Sequence, residues 1–380
     1  MIWTIIFVVC AALLIYILVI YPALVLLLGL RKTRTIQPRW PEPPPVAMLL
    51  SAYNEEASIA RKLQNALAQD YPEDKLDIVV VDDGSTDRTC QIVRGFQSPR
   101  ITLLQQERRR GKTAALNRAA AAAKGAVLIF TDANAIYRPD AVRRLVSSFD
   151  AEGKIGVVCG ELKYQQHPDA VSDEESRYWD LEIRLKKAES NLNTLLGANG
   201  SIYALRRELF QPLNEDLISD FIGPLLLSRK GYRTVYQPLA LSIESSTRSL
   251  GSEFRRKKRI VQRGLYGLWM HRELLNPFAS QWLAIQLWSH KVLRWFLPVW
   301  LLGLLIGSAT LSRYPFFRIL CALQLLAYLC GIVGIAIQAS GKKTGALRLP
   351  GYGLMILTAS LAGIWGFLRG RKVITWEPQR

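Results

Sequence analysis

The sequence predicts an α/β domain built on a mostly parallel sheet with helices on both faces. That domain is inserted between transmembrane helices, one N-terminal and about three C-terminal. Three observations predict this. Residues 1–30 contain no charged side chain. Residues 46–131 alternate short, fully apolar runs with stretches of helical periodicity, the pattern of strands buried on both faces. Residues 292–368 are again mostly apolar, with sparse charges.

The first run, residues 2–30, is too long for a signal h-region and lacks its basic start. A helix crossing a bilayer core of ~30 Å needs about 20 residues, so the run spans with some excess. Pro22 is expected to kink it. Arg31, Lys32 and Arg34 follow directly, which by the positive-inside rule places residue 1 outside and the domain in the cytoplasm. Pro38 to Pro45 reads as a stiff spacer holding the domain off the membrane. Strands are expected at 46–51, 76–81, 101–104 and 126–131, and helices at 58–69 and 112–124.

Ala279–His290, rich in Trp and of mixed polarity, suits a helix lying in the membrane interface. Three spans are expected after it, near 292–311, 316–338 and 352–368. An odd number sends the tail outside, whereas Arg369, Arg371 and Lys372 prefer the cytoplasm. The net charge of the 380-residue chain is +18. Its excess lies beside apolar segments, at Arg31–Arg34, Arg255–Arg259 and Lys342–Lys343, so membrane lipids are the expected anionic partner and nucleic acid is not. Cys10, Cys90, Cys159, Cys321 and Cys330 show no zinc or redox spacing, and His167, His271 and His290 suggest no metal cluster.

Polar residues collect where three strands end. The first strand runs into Tyr53-Asn54-Glu55, the second into Asp82-Asp83-Gly84-Ser85-Thr86-Asp87, and the fourth into Thr131-Asp132-Ala133-Asn134. In an open parallel sheet, ligands bind beyond the C-terminal strand ends. Paired carboxylates there can accept from a base edge and ribose hydroxyls. A capped turn would also use Asp82–Asp87, but three polar strand ends exceed what capping needs. Asp132 and Asn134, two apart on a loop, can offer oxygens to a divalent cation that holds a diphosphate.

With Gly111-Lys112-Thr113-Ala114-Ala115-Leu116-Asn117, these segments resemble glycosyltransferase family 2 in order and spacing, over roughly residues 44–265. The resemblance implies a GT-A fold, a nucleotide-diphosphate sugar donor, Mg2+ or Mn2+, and inversion at the anomeric carbon. It assigns Tyr53, Glu55, Asp82, Asp83 and Lys112 to the donor and Asp132 and Asn134 to the metal. Asn134 stands where the family pattern has a carboxylate, which removes one charge from the metal site. Lys112 either assists the phosphates or is a solvated residue at a helix start.

Inversion requires a general base. Asp216 and Asp220 both precede an apolar helical segment ending at Gly231-Tyr232. The family spacing to that Gly favours Asp220. Gly200 and Ser201, in Gly197–Tyr203, resemble the acceptor side, although a plain loop fits the same residues. Processive members carry Q-x-x-R-W, which is not matched by Arg256-Lys257-Lys258-Arg259-Ile260. Arg256, Arg259 and Arg263 fall at i, i+3, i+7 and form one cationic face, suited to the leaving diphosphate or to lipid headgroups.

The expected division is a transmembrane helix (1–32), a linker (33–45), a cytoplasmic catalytic domain (46–272), and an interfacial and transmembrane region (273–380). The expected protein is a metal-dependent inverting glycosyltransferase of the cell inner membrane. It would take a nucleotide sugar and a lipid-linked or glycan acceptor. A processive polysaccharide synthase is the alternative. A nucleotidyltransferase leaves Asp220 and Gly231-Tyr232 without a role. A non-catalytic membrane protein does not need the polar strand ends.

Overall fold

The computed structural model describes residues 1–30, 37–165, 173–245, 250–342 and 344–371. Arg31, Lys32, Arg34, His167, Lys343 and Lys372 lie outside the described residues.

The sheet has eight strands: β1 (Val46–Ala52), β2 (Leu76–Asp82), β3 (Ile101–Gln105), β4 (Val127–Asp132), β5 (Ile136–Tyr137), β6 (Ile155–Gln165), β7 (Ile202–Arg206) and β8 (Arg233–Ser245). Their order is β3-β2-β1-β4-β7-β6-β8-β5. The first four pair in parallel. Beyond them the sheet is mixed: β7 runs antiparallel to β4 and β6, β8 runs parallel to β6, and β5 closes the edge antiparallel to β8. The predicted parallel character therefore holds for the half read from apolar runs.

Those runs are apolar because both faces are covered. Met48 and Leu50 of β1 face a core with Ile59, Leu63 and Ala66 of α3 (Ile59–Leu67). Val93 of α4 (Thr89–Gly95) and Leu145 of α6 (Ala141–Val146) join the same core. Ala47 and Leu49 face the other side, against Ala115, Leu116 and Ala119 of α5 (Lys112–Ala122). Register then fixes the strand ends: Ala52 lies opposite Asp82, and Ser51 opposite Asp132. The second and fourth strands thus present their acids on either side of the end of β1.

The N-terminal apolar run is α1 (Ile2–Ile15), a π-helical turn at Tyr16–Ile20, and α2 (Tyr21–Gly29). Together they form one helix of 28 residues, long and apolar enough to cross a membrane. The wide turn precedes Pro22, whose ring cannot accept a normal fit against the previous turn; the helix widens there instead of breaking. α2 is docked on α7 (Asp173–Leu192). A Cβ on Gly29 would lie 2.4 Å from the Ala188 carbonyl oxygen, so only Gly allows this approach. The Tyr21 hydroxyl donates to Glu189 at 2.7 Å. The spacer expectation fails for the same segment of chain. Arg39 N donates to the Phe149 carbonyl, Ala151 N to Gln37, and the Tyr71 hydroxyl to Pro44, so 37–45 is strapped onto the domain.

After α8 (Ser219–Arg229) and α9 (Leu250–Met270), the chain enters α10 (Pro277–Gln286), whose Phe278, Trp282 and Ile285 are exposed. A π-helical stretch (Leu287–Val292) and short α11 (Leu293–Trp295) lead to α12 (Leu297–Thr310). α12 is the first of the three expected spans, but 14 residues reach only about 21 Å. It is long enough only when joined to Pro277–Trp295, from which it turns by 62°. Phe296 leaves helical geometry at that point, and Pro298 cannot supply a backbone donor to continue the helix. Two C-terminal helices qualify by themselves: Pro315–Ala339, which is α13, and Gly345–Leu368, whose body is α14 (Arg348–Leu368). α12 runs antiparallel along α1, with Gly303 against Cys10 and Gly307 against Phe7. α14 packs its Gly363 and Gly366 on Val261 and Gln262 of α9.

Candidate active site

The ends of β1 and β2 are stapled together by their turns. Asn54 takes a positive φ of 52°. Its amide donates to Ser85 Oγ at 2.9 Å, and its carbonyl Oδ1 accepts from Thr86 N at 2.8 Å. Glu55 N donates to Thr89 Oγ1, and Glu56 N to Asp87. The Glu55 carboxylate takes the Ser58 hydroxyl. Tyr53 carries the Arg109 guanidinium over its ring at 3.7 Å, forming a flat cationic and aromatic wall beside the turn.

The two acids of the second strand end differ. Asp83 Oδ1 accepts Arg110 N and Gln106 Nε2, and Oδ2 accepts Gly111 N at 2.8 Å. It holds the 106–111 loop against the strand end. Burial raises its pKa, against the pull of the two amides. Asp82 uses one oxygen on Ser85 N, while its Oδ1 is buried with no hydrogen-bond partner. Of the pair, Asp82 is the one whose second oxygen is not taken up by backbone amides, and it lies beside the Cys90 thiol.

Across the end of β1, Lys112 Nζ donates to the Asp132 carboxylate and, at 3.3 Å, to the Gly200 carbonyl. Asp220, in the first turn of α8, closes the group. A Cβ built on Gly200 would lie 2.6 Å from Asp220 Oδ2 and 3.2 Å from Lys112 Nζ. Asp132, Lys112, Gly200 and Asp220, drawn from four segments of the chain, therefore meet. Burial raises the Asp220 pKa; Lys112 opposes this and Asp132 adds to it. Burial pulls Lys112 down, but Asp132 and Asp220 outweigh it and hold the ammonium above its ordinary value. Asp216, the other candidate base, accepts the Tyr266 hydroxyl at 3.5 Å and, like Asp220, acts on Arg263. The helix after Asp220 ends as read, with Gly231 at a φ of +91°.

Arg256, Arg259 and Arg263 all lie on α9, as the spacing required. Arg256 is paired with Glu253 through two bonds of 2.8 Å and donates to the Tyr164 hydroxyl at 2.6 Å. Arg263 donates to the Leu217 carbonyl at 2.8 Å, its Nε is buried without a partner, and it feels the Asp220 charge. Burial, then Arg263 and Arg256, lower Arg259 to about 10. Asp132 acts on Arg259 in the opposite sense, so the cationic face borders the acidic group.

Two residues of the site were not singled out by the sequence reading. Glu244, near the end of β8, has a buried Oε1 without a hydrogen-bond partner. Burial and the neighbouring Asp132 raise it to about 7. Lys62 is entirely buried beneath the 131–135 turn, and burial pulls it down to about 7 against Asp132 and Glu244. Its signal was visible: Ile59, Lys62, Leu63 and Ala66 occupy one helical face, and a lysine stands among apolar residues.

Among the described residues no group of three or more His, Cys, Asp or Glu side chains is arranged to hold a metal by itself. Asp132, the neighbouring Glu244 and the exposed amide of Asn134 carry oxygen donors of the kind that suit an ion taking its remaining oxygens from a bound diphosphate. The donor chemistry fits a hard divalent cation.

Residues 48–213 match the family model of Glycosyl transferase family 2. The chain carries a glycosyltransferase family 2 domain. Tyr53, Glu55, Asp82, Asp83, Lys112, Asp132, Asn134, Gly200 and Ser201 fall inside the match, and Asp220 and the arginines of α9 lie beyond it. Poly-beta-1,6-N-acetyl-D-glucosamine synthase of Staphylococcus aureus is 25% identical over 241 residues, covering 62% of this chain and 57% of that protein. Succinoglycan biosynthesis protein ExoO of Rhizobium meliloti is 36% identical over 110 residues, covering 29% of this chain and 31% of that one. The chain thus spans less than two thirds of the length of these curated relatives. The solved mannosyltransferase PcManGT from Pyrobaculum calidifontis, in complex with GDP-Man and Mn2+, superposes with a TM-score of 0.73 at 24% identity, covering 97% of this chain and 100% of that one. The glycosyltransferase domain accordingly has the GT-A type fold, and the likeness extends over the apolar helices.

Proposed function

We propose that this chain is an inverting glycosyltransferase. It moves a sugar from a nucleotide-diphosphate donor to a lipid-linked or glycan acceptor at the cytoplasmic face of the cell inner membrane. The observation that carries this reading is the meeting of Asp132, Lys112, Gly200 and Asp220 beyond the end of β1. Asp82 supplies an acceptor for the nucleoside, flanked by Tyr53 and Arg109. Asp132 and Asn134, beside Glu244, would hold Mg2+ or Mn2+. That ion supplies positive charge to the diphosphate. PcManGT was solved with GDP-Man and Mn2+, which supports a nucleotide sugar and a divalent metal here.

Asp220 takes the proton of the acceptor hydroxyl as that oxygen bonds the anomeric carbon. The bond from that carbon to the diphosphate breaks on the opposite face, giving inversion. A carboxylate whose pKa burial has raised is a better proton acceptor than an exposed one. Lys112 lies between Asp220 and Asp132, where negative charge builds on the leaving group, and Arg259 and Arg263 border it from α9. Glycines 197 and 200 let the acceptor approach. Membrane attachment comes from the N-terminal span and the two C-terminal ones. With two full C-terminal spans the tail returns to the domain side. This agrees with Arg369 and Arg371, and with the bond of 2.6 Å from Gln262 of α9 to the Arg371 carbonyl.

A processive synthase is the second reading, favoured by relatives named as a polymer synthase and a succinoglycan biosynthesis protein. Against it stands the altered Arg256–Ile260 segment. The test is to reconstitute the purified chain in lipid with UDP- and GDP-sugars, Mg2+ or Mn2+, and membrane extract as acceptor. Nucleotide release is measured and products are sized. One sugar per acceptor supports transfer, and a ladder supports polymerisation. No release from any donor refutes the enzyme.

A further inference from the structure

α3 carries a lysine where its neighbours on the same face are core residues. Lys62 is 1% exposed, between Ile59 and Leu63, which are fully buried. A buried ammonium is costly unless its donors are satisfied and its charge is compensated. Here Nζ donates to Thr131 Oγ1 at 2.7 Å and to the Ala135 carbonyl at 2.6 Å, and lies 4.1 Å from the centre of the Tyr137 ring. Thr131 and Ala135 are the two ends of the turn that carries Asp132 and Asn134. Asp132 and Glu244 are the acids whose charge it feels. A leucine or methionine would fill the same space without that cost, so packing does not account for the lysine.

One helical turn on, Asn65 holds the next segment. Its Nδ2 donates to the Tyr137 carbonyl and its Oδ1 accepts Tyr137 N, both at 2.8 Å. The Tyr137 hydroxyl in turn donates to the Ser201 carbonyl at 2.9 Å. The face of α3 thus fixes both ends of the 131–137 segment and links it to Gly200-Ser201. Between the clamps, Asn134 is exposed and Asp132 half-buried.

We propose that Lys62 is a positioning residue for the donor diphosphate: from inside the core it sets the 131–135 turn so that Asp132 and Asn134 face the metal-bound phosphates. This rests on the glycosyltransferase reading. Lys62 touches no substrate and acts through the turn. Its loss therefore weakens recognition of the diphosphate while leaving the nucleoside side, at Asp82 and Tyr53, as it was.

The test uses the full chain in detergent, with binding followed by calorimetry. The probes are GDP and UDP with Mn2+, and guanosine and uridine as nucleosides without phosphate. Lys62→Met keeps length and removes the donors; Thr131→Val removes one acceptor from the other side of the same contact. Fold is checked by thermal melting and elution volume. Lys62→Met is expected to weaken Mn2+-dependent diphosphate binding by about tenfold, the usual cost of losing such a supporting contact. Nucleoside binding should stay at the wild-type value. Thr131→Val should move in the same direction, and the double variant should add little to the larger single effect. A folded Lys62→Met protein with wild-type diphosphate affinity overturns the proposal. So does an equal fall for nucleoside and diphosphate, which marks a merely structural residue. If Lys62→Met does not fold, Thr131→Val decides, and wild-type binding by it overturns the proposal. If the wild-type chain binds no nucleoside diphosphate, the glycosyltransferase reading falls, and this inference with it.

Discussion

Replacing Gly200 by Ala tests the geometry of the reacting centre with one methyl group. The added Cβ would lie 2.6 Å from Asp220 Oδ2 and 3.1 Å from its Cγ, against 3.4 Å for ordinary contact. The carboxylate must therefore retreat by about 0.8 Å. The retreat is a rotation of the side chain, because the backbone is held. Asp220 sits in the first turn of α8, and its carbonyl is fixed by the Ala198 amide at 2.7 Å. A displacement of about 1 Å at a reacting group can cost ~10²-fold in rate, which is about 2.7 kcal/mol of barrier. Donor binding should change little by comparison, because the Asp82 side is untouched and the 3.2 Å approach to Lys112 Nζ is relieved by a small shift of that long side chain. The assay is nucleotide release with saturating donor, alongside calorimetric binding of the nucleoside diphosphate. A Gly200→Ala protein that binds donor normally and turns over within about twofold of wild type, far less than the ~10²-fold expected, would show that Asp220 is not the base or that its position is not critical.

Asp220→Asn should lower turnover by about 10²–10⁴-fold while donor affinity persists, measured by the same pair of assays; substantial turnover sinks the assignment. Asp220 acts as a base only when ionised, and its pKa is raised, so kcat should be lost as pH falls through a value above the ordinary carboxylate range; a rate independent of pH between about 4 and 7, the span above a normal Asp near 4, refutes this. Chelation of divalent ions should remove binding of the nucleoside diphosphate and spare that of the nucleoside; unchanged diphosphate binding in excess EDTA contradicts a metal at Asp132. Gly29→Val should undock α2 from α7, because its Cβ meets the Ala188 backbone at 2.4 to 2.7 Å and neither backbone can yield cheaply; a thermal midpoint equal to wild type in the same detergent refutes tight docking.

The half of the sheet that carries the donor side was legible because its strands are covered on both faces. Met48 and Leu50 bury one way and Ala47 and Leu49 the other, so the run is apolar throughout and ends abruptly at polar residues. The clustering of Asp82 and Asp132 followed from where such strands end. The antiparallel pairing of β7 was not legible, since its position between β4 and β6 is set by long-range contacts and by no local pattern. The Pro-rich segment was misread for a related reason. Composition makes 38–45 stiff, but stiffness does not say whether a segment stands clear or lies flat. Trp40 packs edge-on against Phe149 and settles the matter. Glu244 was hidden because a single acid at the end of a long strand has no motif around it. Lys62 was passed over although its place on the apolar face of α3 was legible, because a charged residue in a helix is usually assigned to the solvent face.

The charges around the donor loop explain why Asn rather than a second carboxylate can stand at 134. Asp132, Glu244 and Asp220 contribute three half-buried acids, and the latter two have pKa values raised by burial and by the Asp132 charge. Lys112 and Lys62 are the cations set against them, one toward the ligand and one toward the core. A further carboxylate at 134 would add repulsion to acids whose pKa values Asp132 already pushes up, whereas a neutral amide still offers an oxygen. A donor diphosphate brings more negative charge to the same place, so binding must add cations. Arg259 and Arg263 already border the site from α9, and on the proposed reading a divalent ion at Asp132 would supply the rest. Under the proposed function the site would be balanced for a ligand that arrives with its metal, with the core-facing lysine holding the loop in place before that ligand comes.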